Sequence, residues 1–242
     1  MPFDRPPRTP WQGFPDVLIL STESAVKRHP EYAAAKGGDI TSARRMMESL
    51  VSEPAYHAVE VALAGRDPVL VAVHAFEAEG INRIPTVLAE ALAERLDLWA
   101  EPNIVQINRV GHTGASGWHR LAFPPLFDGQ VEAGEHYVLV DDFVGQGGTL
   151  TNLKGFIESR GGVAVLAVTL TGKPYSAKLV PSSETLRALR NRHGPALENW
   201  WLETSGFDFD RLTESESRYL ARAGDADSVR DRLLAARQEG DD

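Results

Sequence analysis

Short apolar runs alternate along this chain with stretches whose apolar residues recur every three or four positions. Val69-Leu70-Val71-Ala72-Val73 is a continuous apolar run, the pattern of a strand covered on both faces. Tyr137 to Val140 and Val163 to Leu170 read the same way, and Val17 to Leu20 and Ile104 to Ile107 are shorter strand candidates. Ile84, Leu88, Leu92 and Leu96 fall four apart and form one helical stripe, with Pro85 suited to its first turn. Leu150, Leu153, Phe156 and Ile157 line one face of a second helix. Strands alternating with helices in this order predict an α/β fold, a mainly parallel sheet flanked by helices.

The flanks differ from this core. Residues 1–15 hold five prolines and read as an irregular arm. Glu31 to Lys36, a Gly37-Gly38-Asp39 turn and a helix capped by Thr41 and running through Val51 make a helical hairpin, expected to cover one edge of the core. Beyond Lys173, Ser183 to Arg192 and Ser228 to Gln238 are helical, with Trp200-Trp201 and Phe207-Asp208-Phe209-Asp210 between them and a frayed end after Gln238. This organisation gives an arm and hairpin over 1–56, a core over 57–175 and a mostly helical extension over 176–242, without internal repeats.

Charge narrows the chemistry. With 25 basic against 34 acidic residues the net charge is −9, which argues against nucleic-acid binding through broad phosphate neutralisation. It suits a protein that holds a small anion with backbone amides and a few placed cations. The absence of cysteine excludes disulfides, thiolate metal sites and a thiol nucleophile. No apolar run reaches membrane-spanning length and the first residues lack a signal-peptide core, so a cytoplasmic location is expected.

The candidate chemistry is concentrated in residues 138–150, V-L-V-D-D-F-V-G-Q-G-G-T-L. Asp141 and Asp142 end an apolar strand at the edge where open α/β sheets bind ligands, and adjacent carboxylates can accept hydrogen bonds from two ribose hydroxyls. Gly145, Gly147 and Gly148 permit positive φ and close approach of an anion, while Thr149 adds a hydroxyl where helix amides favour phosphate. A Walker loop fits worse, because the Gly172-Lys173 pair is followed by Pro174 and not by Ser or Thr. The dinucleotide fingerprint fits worse too, because Leu150 stands where its third glycine would fall.

This run resembles the phosphoribosyl-pyrophosphate (PRPP) loop of type I phosphoribosyltransferases. The resemblance implies a type I phosphoribosyltransferase-like fold, with Asp141 and Asp142 on the ribose hydroxyls and Gly145, Gln146, Gly147, Gly148 and Thr149 around the 5-phosphate. It also implies Mg²⁺ brought with PRPP, near Asp141 and Asp142, and association as a homodimer. Gly80-Ile81-Asn82-Arg83 is similar to the Gly-Phe-Asn-Gln segment of the ComF-like branch. The pattern departs at Gly145, where hypoxanthine-type enzymes place an aspartate that exchanges a proton with the purine. It departs again at Glu77 and Glu79, where many relatives show glycine beside a basic residue.

Arg83, Arg109, His112, His119 and Arg120 are the cations placed to meet pyrophosphate; Arg109 and Arg120 are the catalytic candidates among them. His112 lies in a glycine-rich loop, Gly111 to Gly117, suited to a lid. Phe76 and Trp118 flank the site as base-stacking candidates, whereas Trp200-Trp201 reads as packing. Two functions follow from these residues. One is an Mg²⁺-dependent phosphoribosyltransferase acting on a small nitrogen-base acceptor; the other is a regulatory protein that binds PRPP or a nucleotide without turnover.

Overall fold

A computed structural model describes residues 4–74, 76–77, 80–108 and 116–239. After an extended arm come β1 (Leu18–Ile19), α1 (Glu23–Lys27), α2 (Tyr32–Lys36), α3 (Ile40–Leu50) and α4 (Glu53–Leu63). β2 (Val69–Ala72), the antiparallel pair β3 (Phe76–Glu77) and β4 (Gly80–Ile81), α5 (Ile84–Leu96) and β5 (Trp99–Glu101) follow. A second two-stranded ribbon, β6 (Val105–Gln106) and β7 (Phe127–Asp128), brackets α6 (Gly117–Ala122). β8 (His136–Val144), α7 (Gly148–Ser159) and β9 (Val163–Gly172) complete the sheet, and α8 (Ser183–Ser205), α9 (Glu214–Ala221) and α10 (Ala226–Glu239) form the C-terminal part.

Among the described residues the main sheet has the order β1-β9-β8-β2-β5, and every neighbouring pair is parallel. This is the expected α/β architecture. β8, at its centre, is apolar on both faces because both are covered. Val138 and Val140 join Met46, Leu88 and Leu92 on the side of α3 and α5. Tyr137 and Leu139 join Phe156 and Ile157 on the side of α7. Each fully buried side chain of this size contributes about 1.5–3 kcal/mol, so the two layers hold β8 in one register. A third apolar cluster, including Leu189, Leu197, Phe209 and Leu220, belongs to α8–α10. No helix among the described residues is long and apolar enough to cross a membrane.

Several local expectations need correction. Ile104 to Ile107 does not enter the main sheet: Val105 and Gln106 pair with Phe127 and Asp128 in the separate ribbon. The edge strand is instead Trp99–Glu101, where the Trp99 side chain is exposed and only one partner strand is required. Pro102 follows it and cannot donate to the ladder. The cap of α3 is Asp39, not Thr41; its carboxylate accepts from the Ser42 amide at 2.6 Å. The helix from Ser183 continues to Ser205 across a kink at Gly194 and Pro195. α9 carries a Thr213/Glu216 capping box, a signature present in the sequence and not read there.

Candidate functional site

The strand that carries the acids does not stop at them. β8 continues to Val144, paired with β9 as far as Val144 and Gly172, while β2 ends in register at Ala72 and Val140. Asp141 and Asp142 therefore sit inside the strand on the β9 side and at its free edge on the β2 side. Alternation along the strand sends the two side chains to opposite faces. Asp142 turns toward the hairpin and α5, where its Oδ2 accepts from Asn82 Nδ2 at 3.0 Å and pairs with Lys36 Nζ at 3.2 Å. Asp141 is buried, and its Oδ1 accepts from the Asp142 amide at 2.8 Å. Burial, and after it the neighbouring Asp142 carboxylate, hold the Asp141 carboxyl well above the ordinary carboxylate range. Both residues border one cavity of about 260 Å³.

The glycine loop lies along the same cavity, Gly145 through Thr149 all lining it. Of its three glycines only Gly147 uses positive φ (80°), as the residue that caps α7. A side chain there would run into Leu179, so the position needs glycine on both grounds. Tertiary contacts fix the turn. Thr213 Oγ1 donates to the Gln146 carbonyl at 2.5 Å, and Thr151 Oγ1 donates to the Gly147 carbonyl at 2.9 Å. The first-turn amides of α7 have no intrahelical acceptors and open the positive end of the helix dipole toward the cavity, which is the physical requirement of an anion cradle.

Arg120, on α6, also lines the cavity, and its Nη1 lies 3.0 Å from where a side chain would begin on Gly145. Burial pushes its guanidinium below the ordinary arginine value. Arg83 caps α5 with its backbone and donates its amide to the Ala35 carbonyl at 3.2 Å; its side chain is not part of the cavity wall. Trp118 is not on that wall either. It packs on Tyr219, with ring centroids 4.9 Å apart, and Arg232 lies over its ring at 5.5 Å. His119 stacks on Phe123 at 4.7 Å. Arg109, His112, Glu79 and the side chains of Phe76 and Glu77 lie outside the described residues. The structure thus brings together Asp141, Asp142, the 145–149 loop and Arg120, and places Arg83 and Trp118 elsewhere.

Other residues reach the cavity without any local sequence signal. Lys27 and Lys36 come from α1 and α2, and Tyr32 stands one helical turn before Lys36. Lys27 lies 5.5 Å over the Phe143 ring and pairs with Glu23 at 2.6 Å. From the arm, Arg8 reaches the head of α7. Its Nε donates to Asn152 Oδ1 at 2.9 Å, and its two terminal nitrogens donate to Glu216 at 2.6 and 2.8 Å. Among the described residues no group of three or more His, Asp or Glu is arranged to hold a metal ion.

No protein-family model matches the chain. It is 39% identical over 237 residues to Protein TraN of Escherichia coli, which covers 98% of this chain and 53% of that protein. It is 38% identical over 151 residues to an uncharacterised protein of Haemophilus influenzae, covering 62% of this chain and 34% of that protein. The chain therefore spans about half the length, or less, of these relatives. Among solved structures, adenine phosphoribosyltransferase from Thermoanaerobacter pseudethanolicus is similar over 56% of this chain and 86% of its own, with 17% identity and a TM-score of 0.35. UMP synthase from Leishmania donovani is similar over 74% and 35% of the two chains, with 15% identity and a TM-score of 0.33.

Proposed function

We propose that the cavity binds PRPP and that the protein transfers its 5-phosphoribosyl group to a small nitrogen-base acceptor with release of pyrophosphate. One observation carries this reading: a pair of acids on the central strand is joined by a glycine turn to the amino end of α7, all on one cavity. In it, the amides of 145–149 and the Thr149 hydroxyl hold the 5-phosphate, and Asp142 Oδ1 accepts from a ribose hydroxyl. Asp141, which borders the same cavity, is the second hydrogen-bonding partner of the ribose ring.

The reaction breaks the bond from the anomeric carbon to the pyrophosphate oxygen, which leaves with the electron pair, and forms a carbon–nitrogen bond to the acceptor, whose N–H proton passes to the departing pyrophosphate or to water. Positive charge develops on the ring carbon and oxygen, as in glycoside cleavage, so carboxylates beside the sugar stabilise the transition state. Arg120 faces the loop as a half-buried cation on the cavity wall, placed to meet a phosphate oxygen. Asp141 and Asp142 would be the carboxyl donors toward Mg²⁺ arriving on the ligand's own oxygens, and the ion would help neutralise the leaving group.

Calorimetric titration with PRPP and Mg²⁺, followed by a pyrophosphate-release assay over a panel of bases, tests the reading. Asp142→Asn is expected to weaken PRPP binding about 10- to 100-fold, the worth of one hydrogen bond to a charged group. Unchanged affinity would remove the premise. A second reading, a PRPP or nucleotide sensor without turnover, is favoured by Gly145, where the loop faces Arg120 and has no side chain to exchange a proton with an acceptor. Tight binding without release over the whole panel would decide for it.

A further inference from the structure

The cavity does not end at the glycine turn. A chain of contacts carries its wall from Asp142 past the head of α7 and into the C-terminal helices. Glu216 Oε1 lies 2.8 Å, and Arg8 Nη2 3.6 Å, from where a side chain would begin on Gly148. Arg8 in turn lies over the Phe207 ring, and Phe207 meets Trp201 edge-on with centroids 6.0 Å apart. Phe207, Trp201, Ser205, Pro6 and Asp4 line the same cavity as the loop, together with Leu121. They belong to the arm, to α6 and to the C-terminal part, not to the elements that carry the acids and the turn. This far end is an apolar slot with a few polar groups, the make-up of a site for a planar heterocycle. Trp201 is 3% exposed, and its indole N–H has no hydrogen-bond partner among the described residues. A buried donor without an acceptor is destabilising, and a buried tryptophan ordinarily finds one. Charge at the threshold is already balanced, because Arg8 donates to both oxygens of Glu216. Arg120 immediately precedes Leu121, so the cation beside Gly145 and the slot's wall come from one turn of α6.

We infer that this far end takes a heterocycle joined to the 5-phosphate through a second phosphate, so that the ligand class is a nucleoside diphosphate ribose. The inference rests on the reading of 145–149 as the 5-phosphate cradle. A phosphate seated on the first amides of α7 has its ribose toward Asp142 and its remaining oxygens toward Gly148 and the slot. A monoester ends there. A diphosphate continues past Gly148, its second phosphate meets Arg120, and its heterocycle lies among Pro6, Leu121 and Phe207. The Trp201 N–H then donates to a ring nitrogen or carbonyl after a small rotation of the indole. Ser205 and Asp4, which stands 3.7 Å from Arg237, accept from the hydroxyls of the second sugar. Asp142 and Asp4 thus bracket the ligand, one at each sugar. The net charge of −9 favours a small ligand over a nucleic-acid chain here.

Calorimetry on the full chain compares ribose 5-phosphate with adenosine diphosphate ribose and uridine diphosphate ribose, each linked through the ribose 5-oxygen. The expected result is that at least one nucleoside form binds about tenfold or more tightly than ribose 5-phosphate. Ser205→Trp and Leu121→Trp fill the slot from different elements, and in either the preference collapses to within about threefold. A gain due only to the second phosphate would survive both. Trp201→Phe keeps a ring without the N–H and weakens the preferred form about 2- to 10-fold. Thermal melts identify which block keeps the parent's midpoint, and the comparison on the parent chain needs neither variant. Parent affinities within about threefold of one another, or a preference that survives both blocks, overturn the inference, and they overturn it alone where PRPP still binds. A 5-phosphorylated oligonucleotide that outcompetes both nucleoside forms overturns it too, since the slot would then belong to a nucleic-acid end. A parent chain that binds neither PRPP nor any of the three ribose phosphates overturns the functional reading along with it.

Discussion

Replacing Arg8 with methionine removes the contact that ties the N-terminal arm to the head of α7. The guanidinium is 4% exposed and Glu216 is 3% exposed. It donates to both Glu216 oxygens, to Asn152 Oδ1 and, at 3.2 Å, to the Arg211 carbonyl, and it lies 4.5 Å over the Phe207 ring. Methionine fills much of the volume but leaves the Glu216 carboxylate buried without its cation. Breaking a buried pair on one side costs about 3–5 kcal/mol, far more than the ~0–1 kcal/mol of an exposed pair. At about 2–4 °C per kcal/mol for a chain of this size, the melting midpoint falls by roughly 6–20 °C. Adding Glu216→Gln removes the stranded charge and keeps an amide oxygen for the Thr213 amide, so the double variant regains more than half the loss. Circular-dichroism melts and urea unfolding of the two single variants and the double provide the cycle. A midpoint within about 2 °C of the parent for Arg8→Met would refute the reasoning, because the pair would then be energetically an exposed one. So would a double variant no more stable than Arg8→Met.

Three further outcomes are expected. Gly147→Ala places a side chain at φ 80° against Leu179; the left-handed backbone alone costs about 1–2 kcal/mol, and urea unfolding with ribose 5-phosphate titration should show both lower stability and weaker binding. Asp141→Asn tests the buried acid. Its folded pKa is raised above 3.8, so the native state holds the proton longer than the unfolded chain and stability falls as pH rises from about 3.8 through the folded value. The asparagine variant should match the parent in melts near pH 3.5 and exceed it near pH 8, and the opposite order would refute the assignment. Trp118→Ala should lower the melting midpoint through the lost Tyr219 contact, worth about 0.5–1.5 kcal/mol beyond burial, yet change PRPP affinity less than about twofold by calorimetry.

The glycine loop was readable from sequence because its chemistry is local: two acids, a turn that needs glycine and a helix start lie in consecutive residues. The core strands at Val69, Tyr137 and Val163 were readable for a related reason, since burial on both faces leaves an uninterrupted apolar run. Where burial is one-sided or partnering is minimal the signal fades. Trp99–Glu101 pairs on one side only and was missed, and Ile104 to Ile107 is apolar because Ile104 packs into the layer beneath α7, not because it extends the sheet.

The chain by itself determined the alternation of strands and helices, the glycine turn that joins the two acids to the head of α7, and the absence of thiol chemistry. Tertiary structure alone decided which charges meet there. Lys36 and Asp142 are more than a hundred residues apart, as are Arg8 and Glu216, and Thr213 fastens the Gln146 carbonyl from α9's cap. No spacing rule encodes such pairs, because a charged side chain has no periodicity until folding sets a partner beside it. The same principle moved Trp118 onto Tyr219 and left Arg83 off the cavity wall. Burial is a property of the neighbours, and that is also why the Asp141 carboxyl is held well above the ordinary carboxylate range.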